Sequence, residues 1–118
     1  MPSVLIAEGE PRIASFVKLG LEANGFRTHL VADGEEAVTL CRGTHFDVFV
    51  LDEALVRGRP GLVGELESGG PHVPVVMLTK RDPIEAAADP VSGHVDDYLR
   101  KPFRFSDLLS SVRRMLRP

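Results

Sequence analysis

A single cysteine, Cys41, leaves this chain of 118 residues no partner for an internal disulfide. Cys41 falls in a stretch of helical period, where a buried and inert thiol is expected, in keeping with a reducing compartment. A large excess of one charge is also lacking. Against 17 acidic residues stand 14 basic ones, and a formal net charge of -3 is too weak a field for the domain as a whole to hold nucleic acid or a membrane surface. No apolar run approaches the roughly 20 residues that cross a bilayer, and the chain does not open on a basic segment followed by an apolar core. A soluble, cytoplasmic protein is the expectation. Internal repeats, low-complexity tracts and linkers are missing too, although Arg117-Pro118 is compatible with a linker boundary. With 43% hydrophobic and 26% charged residues, residues 1–118 suit one globular domain and leave no room for a second.

What is present is an alternation. Val4-Leu5-Ile6-Ala7, Val48-Phe49-Val50-Leu51 and Val75-Val76-Met77-Leu78 are continuous apolar runs, as expected of strands buried on both faces of a parallel sheet. Phe26 to Ala32 reads as a half-buried strand and Val95 to Leu99 as a fifth. Between them, Ile13, Phe16, Val17, Gly20 and Leu21 repeat at helical spacing from about Pro11, and Asn24-Gly25 ends that helix. Asp33 with Glu36 offers a cap for a helix to about Arg42. Only Leu62 to Leu66 keeps helical period after Arg57-Gly58-Arg59-Pro60-Gly61, so the third helix is short. The fourth starts with Asp82 as cap and Pro83 at the first helical position, and Pro90 and Gly93 end it early. Ser106 caps the last, whose apolar face is Leu108, Leu109, Val112, Met115 and Leu116, with Arg113, Arg114 and Arg117 near its carboxyl end. Five strands alternating with five helices predict an α/β three-layer sandwich, with ligands bound outside the carboxyl ends of the strands.

Reading off those ends gives Glu8 and Glu10, Asp52, Thr79 and Lys101. A carboxylate exposed there can attack phosphorus, provided charge on the phosphoryl oxygens is neutralised. Asp52 suits that role. Magnesium is the natural neutraliser, with Glu8, Glu10, Asp52 and the backbone carbonyl of Ala54 as candidate ligands. Lys101 can pair with one phosphoryl oxygen, and Thr79 can donate a hydrogen bond to another. Each residue also has a plainer reading: Glu10 as a first-turn helix charge, Thr79 as a helix cap, Lys101-Pro102 as an ordinary turn. The joint placement at separate strand ends is the stronger signal. The four histidines, His29, His45, His72 and His94, share no metal-ligand spacing and are expected to be scattered over loops and strand edges.

The runs Val4-Leu5-Ile6-Ala7-Glu8-Gly9-Glu10-Pro11, Phe46 to Asp52, Pro74 to Thr79 and Asp96-Asp97-Tyr98-Leu99-Arg100-Lys101-Pro102-Phe103 together resemble the receiver domains of bacterial response regulators. The resemblance covers essentially the whole chain and is nearest to the subgroup that precedes winged-helix DNA-binding domains. It implies a flavodoxin-like sheet of order 2-1-3-4-5. It further implies Asp52 as phosphoacceptor, Thr79 as switch hydroxyl, Tyr98 as switch aromatic, Lys101 as phosphate-sensing lysine and a cis peptide before Pro102. A histidine kinase is the implied partner and an effector, expected to be transcriptional, the implied output. A homodimer through helix four, strand five and helix five is implied as well, using charges such as Asp96, Asp97, Asp107 and Arg114, whose plainer reading is a solvated surface.

The chain departs from the family pattern at named places. Gly9 stands where the second of two adjacent acids ligates magnesium, so magnesium binding is expected to be weak or absent. Glu10 covers for it only if the loop is reshaped. Lys80 follows Thr79 in place of a small residue; it either reaches the pocket to pair with phosphate or Asp52, or, the favoured reading, is a solvated lysine. Val56 replaces a proline, and Pro90 interrupts the fourth helix. Two functions stay open: a phosphoacceptor module of a two-component phosphorelay, and a phosphorylation-independent interaction module with a decayed metal site. A small flavodoxin-like enzyme is disfavoured, because no glycine-rich phosphate loop follows strand one.

Overall fold

The computed structural model describes residues 1–117, so the linker-boundary reading at Pro118 lies outside the described residues. Five parallel strands, β1 (Ser3–Ala7), β2 (Arg27–Val31), β3 (Val48–Asp52), β4 (Val75–Thr79) and β5 (Asp97–Arg100), form one sheet in the order β2-β1-β3-β4-β5. β3 and β4 are buried at every residue, as their unbroken apolar sequences require of central strands, whereas β2 is an edge strand with three of five residues exposed. β5 begins at Asp97, two residues later than the apolar pattern from Val95 suggests.

Side chains alternate along each strand and so feed two cores. Val4, Ile6, Val48, Val50, Val76 and Leu78 pack with α1 (Pro11–Ala23) and α6 (Phe105–Met115). Leu5, Ala7, Phe49, Leu51, Val75 and Met77 face α2 (Gly34–Cys41), α3 (Glu53–Gly58) and α4 (Leu62–Glu67). Cys41 is half-buried against this second core, where burial pushes its thiol pKa up. Gly20 of α1 sits against Phe105; a Cβ there would fall 2.3 Å from the ring, so only glycine lets α1 and α6 approach this closely.

The predicted single third helix is two helices. Pro60 has no N–H to extend α3 beyond Gly58, and Gly61 turns the chain at φ +88° before α4 begins. Val56 lies inside α3 with its side chain in the core. Two caps follow the sequence: Asp33 accepts from the Glu36 N–H at 2.9 Å and Asp82 from the Ile84 N–H at 2.8 Å, the latter opening α5 (Pro83–Ala87). Asp89 then caps a 3₁₀ turn, Pro90–Ser92, that ends the fourth helical region early. One cap does not follow. Ser106 sits inside α6, which starts at Phe105 behind Arg104 without a side-chain cap, two residues sooner than a cap at Ser106 would set it; the Lys101-Pro102 peptide upstream is cis, as the resemblance implies. No helix among the described residues is long and apolar enough to cross a membrane.

Candidate functional site

The strand register decides what meets at the carboxyl edge. Asp52 of β3 lies level with Leu78, one residue before Thr79, while Thr79 is level with Arg100, one residue before Lys101. The Lys101 N–H donates to the Thr79 carbonyl at 2.7 Å and fixes the two strand exits side by side. Glu8 follows β1 on the same rim.

Lys101 is the centre of the cluster. Its side chain is 5% exposed, and Nζ lies 2.8 Å from Glu8 Oε1, 3.0 Å from Glu10 Oε2 and 3.4 Å from Asp52 Oδ1. Burial opposes its charge, but the carboxylates of Glu8 and Glu10 and the charge of Asp52 outweigh that and raise its pKa. Glu8 is fully buried. Burial pushes its carboxyl up against the pull of Lys101 and the Glu10 N–H, and the neighbouring Asp52 carboxylate adds to the rise. Glu8 Oε2 accepts from the Glu10 N–H at 2.9 Å, whereas Oε1, though close to Lys101, receives no aligned hydrogen bond. Asp52 Oδ1 accepts from the Ala54 N–H at 3.1 Å, so the residue also caps α3. Its Oδ2 is turned toward Gly9, where a Cβ would lie 3.9 Å away.

Glu10 takes a place that neither sequence reading describes. It precedes α1 without capping it, and its carboxylate bridges Lys101 and Lys80, the latter at 2.9 Å. The two lysines hold Glu10 below the usual carboxylate range. Lys80 therefore reaches the rim, but to pair with Glu10 while 73% exposed, and its pairing here is not with Asp52. Thr79 is buried and does not cap a helix. Its hydroxyl donates to Glu53 Oε1 at 2.8 Å and accepts from the Arg81 N–H at 3.0 Å. Tyr98 leans into the second core from β5. Ala54 lines, with Asp52, an open cleft of about 500 Å³.

Glu53, Arg81, Arg57 and Asp89 carry no motif in the sequence, yet they make a second ionic network near Asp52. The Arg81 guanidinium meets Glu53 at 2.6 and 3.1 Å and Asp89 at 3.2 Å, and Arg57 donates to the same Asp89 oxygen at 2.8 Å. Burial works to raise the Glu53 pKa, but hydrogen bonds from Arg81 and Thr79 outweigh it, so the carboxyl is held low. The direct succession Asp52-Glu53 is the sequence's trace of this network. At the far edge of the sheet, two of the histidines expected to be scattered, His72 and His94, are stacked together. Their separation of 22 residues in the chain hides a contact that the α4–β4 and β4–β5 loops create.

The oxygen donors fit a hard divalent cation. Glu8 and Asp52 are neighbouring carboxylates with one shared ammonium, Glu8 Oε1 lacks an aligned donor, and a Cβ at Gly9 would stand at ordinary contact distance, 3.9 Å, from Asp52 Oδ2.

The same sequence pattern and fold occur in known proteins. Residues 4–113 match the response regulator receiver domain family. The DNA-binding response regulator MtrA of Mycolicibacterium smegmatis is 34% identical over 122 residues, covering 97% of this chain and 50% of that protein. The chain thus spans about half the length of the curated relatives it matches. The receiver domain of a Francisella response regulator shares 32% identity and a TM-score of 0.80, covering 98% of this chain and 96% of the other. A receiver domain of a Pseudomonas aeruginosa sensor histidine kinase, solved with magnesium in its active-site cleft, shares the fold at a TM-score of 0.83 and 24% identity, covering 97% and 96%. Matched from residue 4 to residue 113 and carrying this fold throughout, the chain belongs to the response regulator receiver domains, regulatory modules of two-component signalling.

Proposed function

We propose that residues 1–118 form one receiver unit that accepts a phosphoryl group on Asp52 from a histidine kinase and passes a conformational change to an effector. The observation that carries this reading is the setting of Asp52: a carboxylate on an open cleft, with a buried ammonium 3.4 Å from Oδ1 and its second oxygen turned toward Gly9, which carries no side chain. An Asp52 oxygen attacks phosphorus, an O–P bond forms, and the P–N bond to the kinase histidine breaks with the electron pair left on the imidazole. Lys101 then pairs with a phosphoryl oxygen. To do so it gives up Glu10, which keeps Lys80. Thr79 donates to a second oxygen only after releasing Glu53, so the Glu53–Arg81 pair opposes the active state. Tyr98, packed beside Thr79's strand, is the aromatic that follows this release.

Glu8, Asp52 and the Ala54 carbonyl would hold magnesium, weakly, since Gly9 contributes no carboxylate and Glu10 is committed to lysines. Bound there, a divalent cation neutralises charge on the transferring phosphoryl group. The module acts as a switch and not as a turnover enzyme, in the cytoplasm, and binds neither nucleic acid nor membrane itself. A transcriptional output rests on the DNA-binding relative. A homodimer through α5, β5 and α6, the face predicted as helix four, strand five and helix five, rests on Ile84, 82% exposed on α5. Asp97 and Arg114 contribute less to it because they pair within the chain at 2.7 Å.

Gly9 and the engagement of Thr79 by Glu53 favour a second reading, a receiver-like module that works without phosphorylation. Incubation with magnesium and acetyl phosphate, followed by intact mass, separates the two. A phosphate adduct absent from Asp52→Asn supports the switch; a folded protein that gives no adduct at any magnesium concentration rules it out.

A further inference from the structure

The amino-terminal ends of β4 and β5, at the opposite edge of the sheet from Asp52, carry a second cluster of metal-ligating side chains. His72 precedes β4, His94 and Asp96 precede β5, and Glu67 ends α4. His72 Nδ1 lies 2.6 Å from Glu67 Oε2, and its Nε2 lies 2.8 Å from Asp96 Oδ2. His94 Nε2 stands 3.6 Å from Asp96 Oδ1, with its ring stacked on His72 at a centroid distance of 3.8 Å. One donor atom from each of His72, His94 and Asp96 falls within 4.8 Å of the other two. Both carboxylates are anchored to the backbone: Asp96 Oδ2 accepts from the Val75 N–H and Glu67 Oε2 from the Val73 N–H, each at 2.8 Å.

We propose that His72, His94 and Asp96 form a binding site for a divalent transition ion of the zinc class, with Glu67 orienting His72. Two imidazole nitrogens and a carboxylate are the donor set that zinc takes, and one that magnesium, which demands oxygen, does not. In a tetrahedral site with bonds of about 2.0–2.2 Å, neighbouring donor atoms sit about 3.3–3.5 Å apart. Asp96 Oδ2 stands 2.8 Å from His72 Nε2 and Oδ1 3.6 Å from His94 Nε2, so the carboxylate faces both imidazoles at separations near that spacing. The stacked rings must tilt for their lone pairs to converge, and His94, 67% exposed, is free to tilt. A water completes the coordination. The contact between Glu67 and His72 Nδ1 is the carboxylate–histidine pairing that fixes a ligand's tautomer and directs Nε2 to the ion. Both ring nitrogens of His72 face carboxylate oxygens, and on ion binding any proton on Nε2 leaves to water so that its lone pair meets the ion. The ion would tie the α4–β4 loop to the segment entering β5.

The test uses the chain of 118 residues without an affinity tag, titrated with zinc chloride by calorimetry in excess magnesium chloride, which occupies any oxygen-only site at Asp52. The expected result is one zinc ion per chain, with affinity reduced at least about tenfold in His94→Ala, about tenfold in Glu67→Gln, and unchanged in Asp52→Asn. Cobalt substituted for zinc should give a visible ligand-field band that His94→Ala abolishes. His72→Ala also removes contacts that hold Glu67 and Asp96, so the exposed His94 carries the test where His72→Ala fails to fold. The proposal is overturned if wild type shows no saturable zinc binding, if His94→Ala binds as tightly as wild type, or if Asp52→Asn removes the binding.

Discussion

Replacing Gly9 by aspartate asks directly whether the carboxylate missing from the rim is what limits magnesium binding. A Cβ at this position meets nothing nearer than 3.9 Å, and Asp52 Oδ2 is one of the atoms at that distance. Gly9 is not among the glycines with positive φ, so a side chain adds no backbone strain. At an effective dielectric of about 20, a unit negative charge about 4 Å from a divalent ion gains about 8 kcal/mol. Desolvation of the new carboxylate and of an ion that gives up its water reluctantly offsets most of that gain. The remainder, about 1–2 kcal/mol, is a roughly tenfold tighter magnesium affinity. Without metal the new carboxylate repels Asp52 and Glu8 and is countered by Lys101 and solvent, so Gly9→Asp should be less stable by about 1 kcal/mol and regain that on adding magnesium. Magnesium titration by calorimetry, with urea denaturation at zero and saturating magnesium, reads both effects. An unchanged magnesium affinity, or a metal-free variant more stable than wild type, would refute the electrostatic reasoning.

Lys101→Met should destabilise the fold by about 3 kcal/mol, because it strips the buried ammonium from Glu8 and Asp52, and magnesium should restore part of the loss; urea denaturation measures it. Glu53→Gln should cost about 1–3 kcal/mol at neutral pH, because the neutral amide gives up the charge that pairs with Arg81. Because the folded pKa of Glu53 is depressed, its ionised form contributes stability that is fully present above the unfolded value of about 4.3 and is lost as pH falls through the lower folded value. Denaturation between about pH 3 and 7 should therefore show a shallower acid limb in Glu53→Gln, and identical limbs would count against the pairing. Gly20→Ala drives a methyl into the Phe105 ring and should lower stability by about 1–3 kcal/mol, visible as a reduced melting temperature.

The sequence by itself determined the elements whose signals are local. Apolar runs marked the strands because buried strands need both faces apolar, and helical spacing marked α1, α2 and α6. Asp33 and Asp82 announced their caps because a cap joins residues two or three apart. The strand ends placed Glu8, Asp52, Thr79 and Lys101 on one rim, since a parallel sheet aligns its carboxyl ends. Local signals failed at Ser106, a cap by composition that lies inside α6, where Arg104 holds the N-cap position. Only the tertiary structure decided which groups occupy one another. Glu10 reaches Lys101 across 91 residues, Thr79 turns to Glu53 across 26, and His72 meets Asp96 across 24. Such pairings depend on crossover lengths and side-chain rotamers, neither of which leaves a periodicity in the chain. The sequence thus carries the scaffold for an aspartyl phosphate, whereas the partners that restrain Thr79 and Lys101 arise from the packing of loops over the rim.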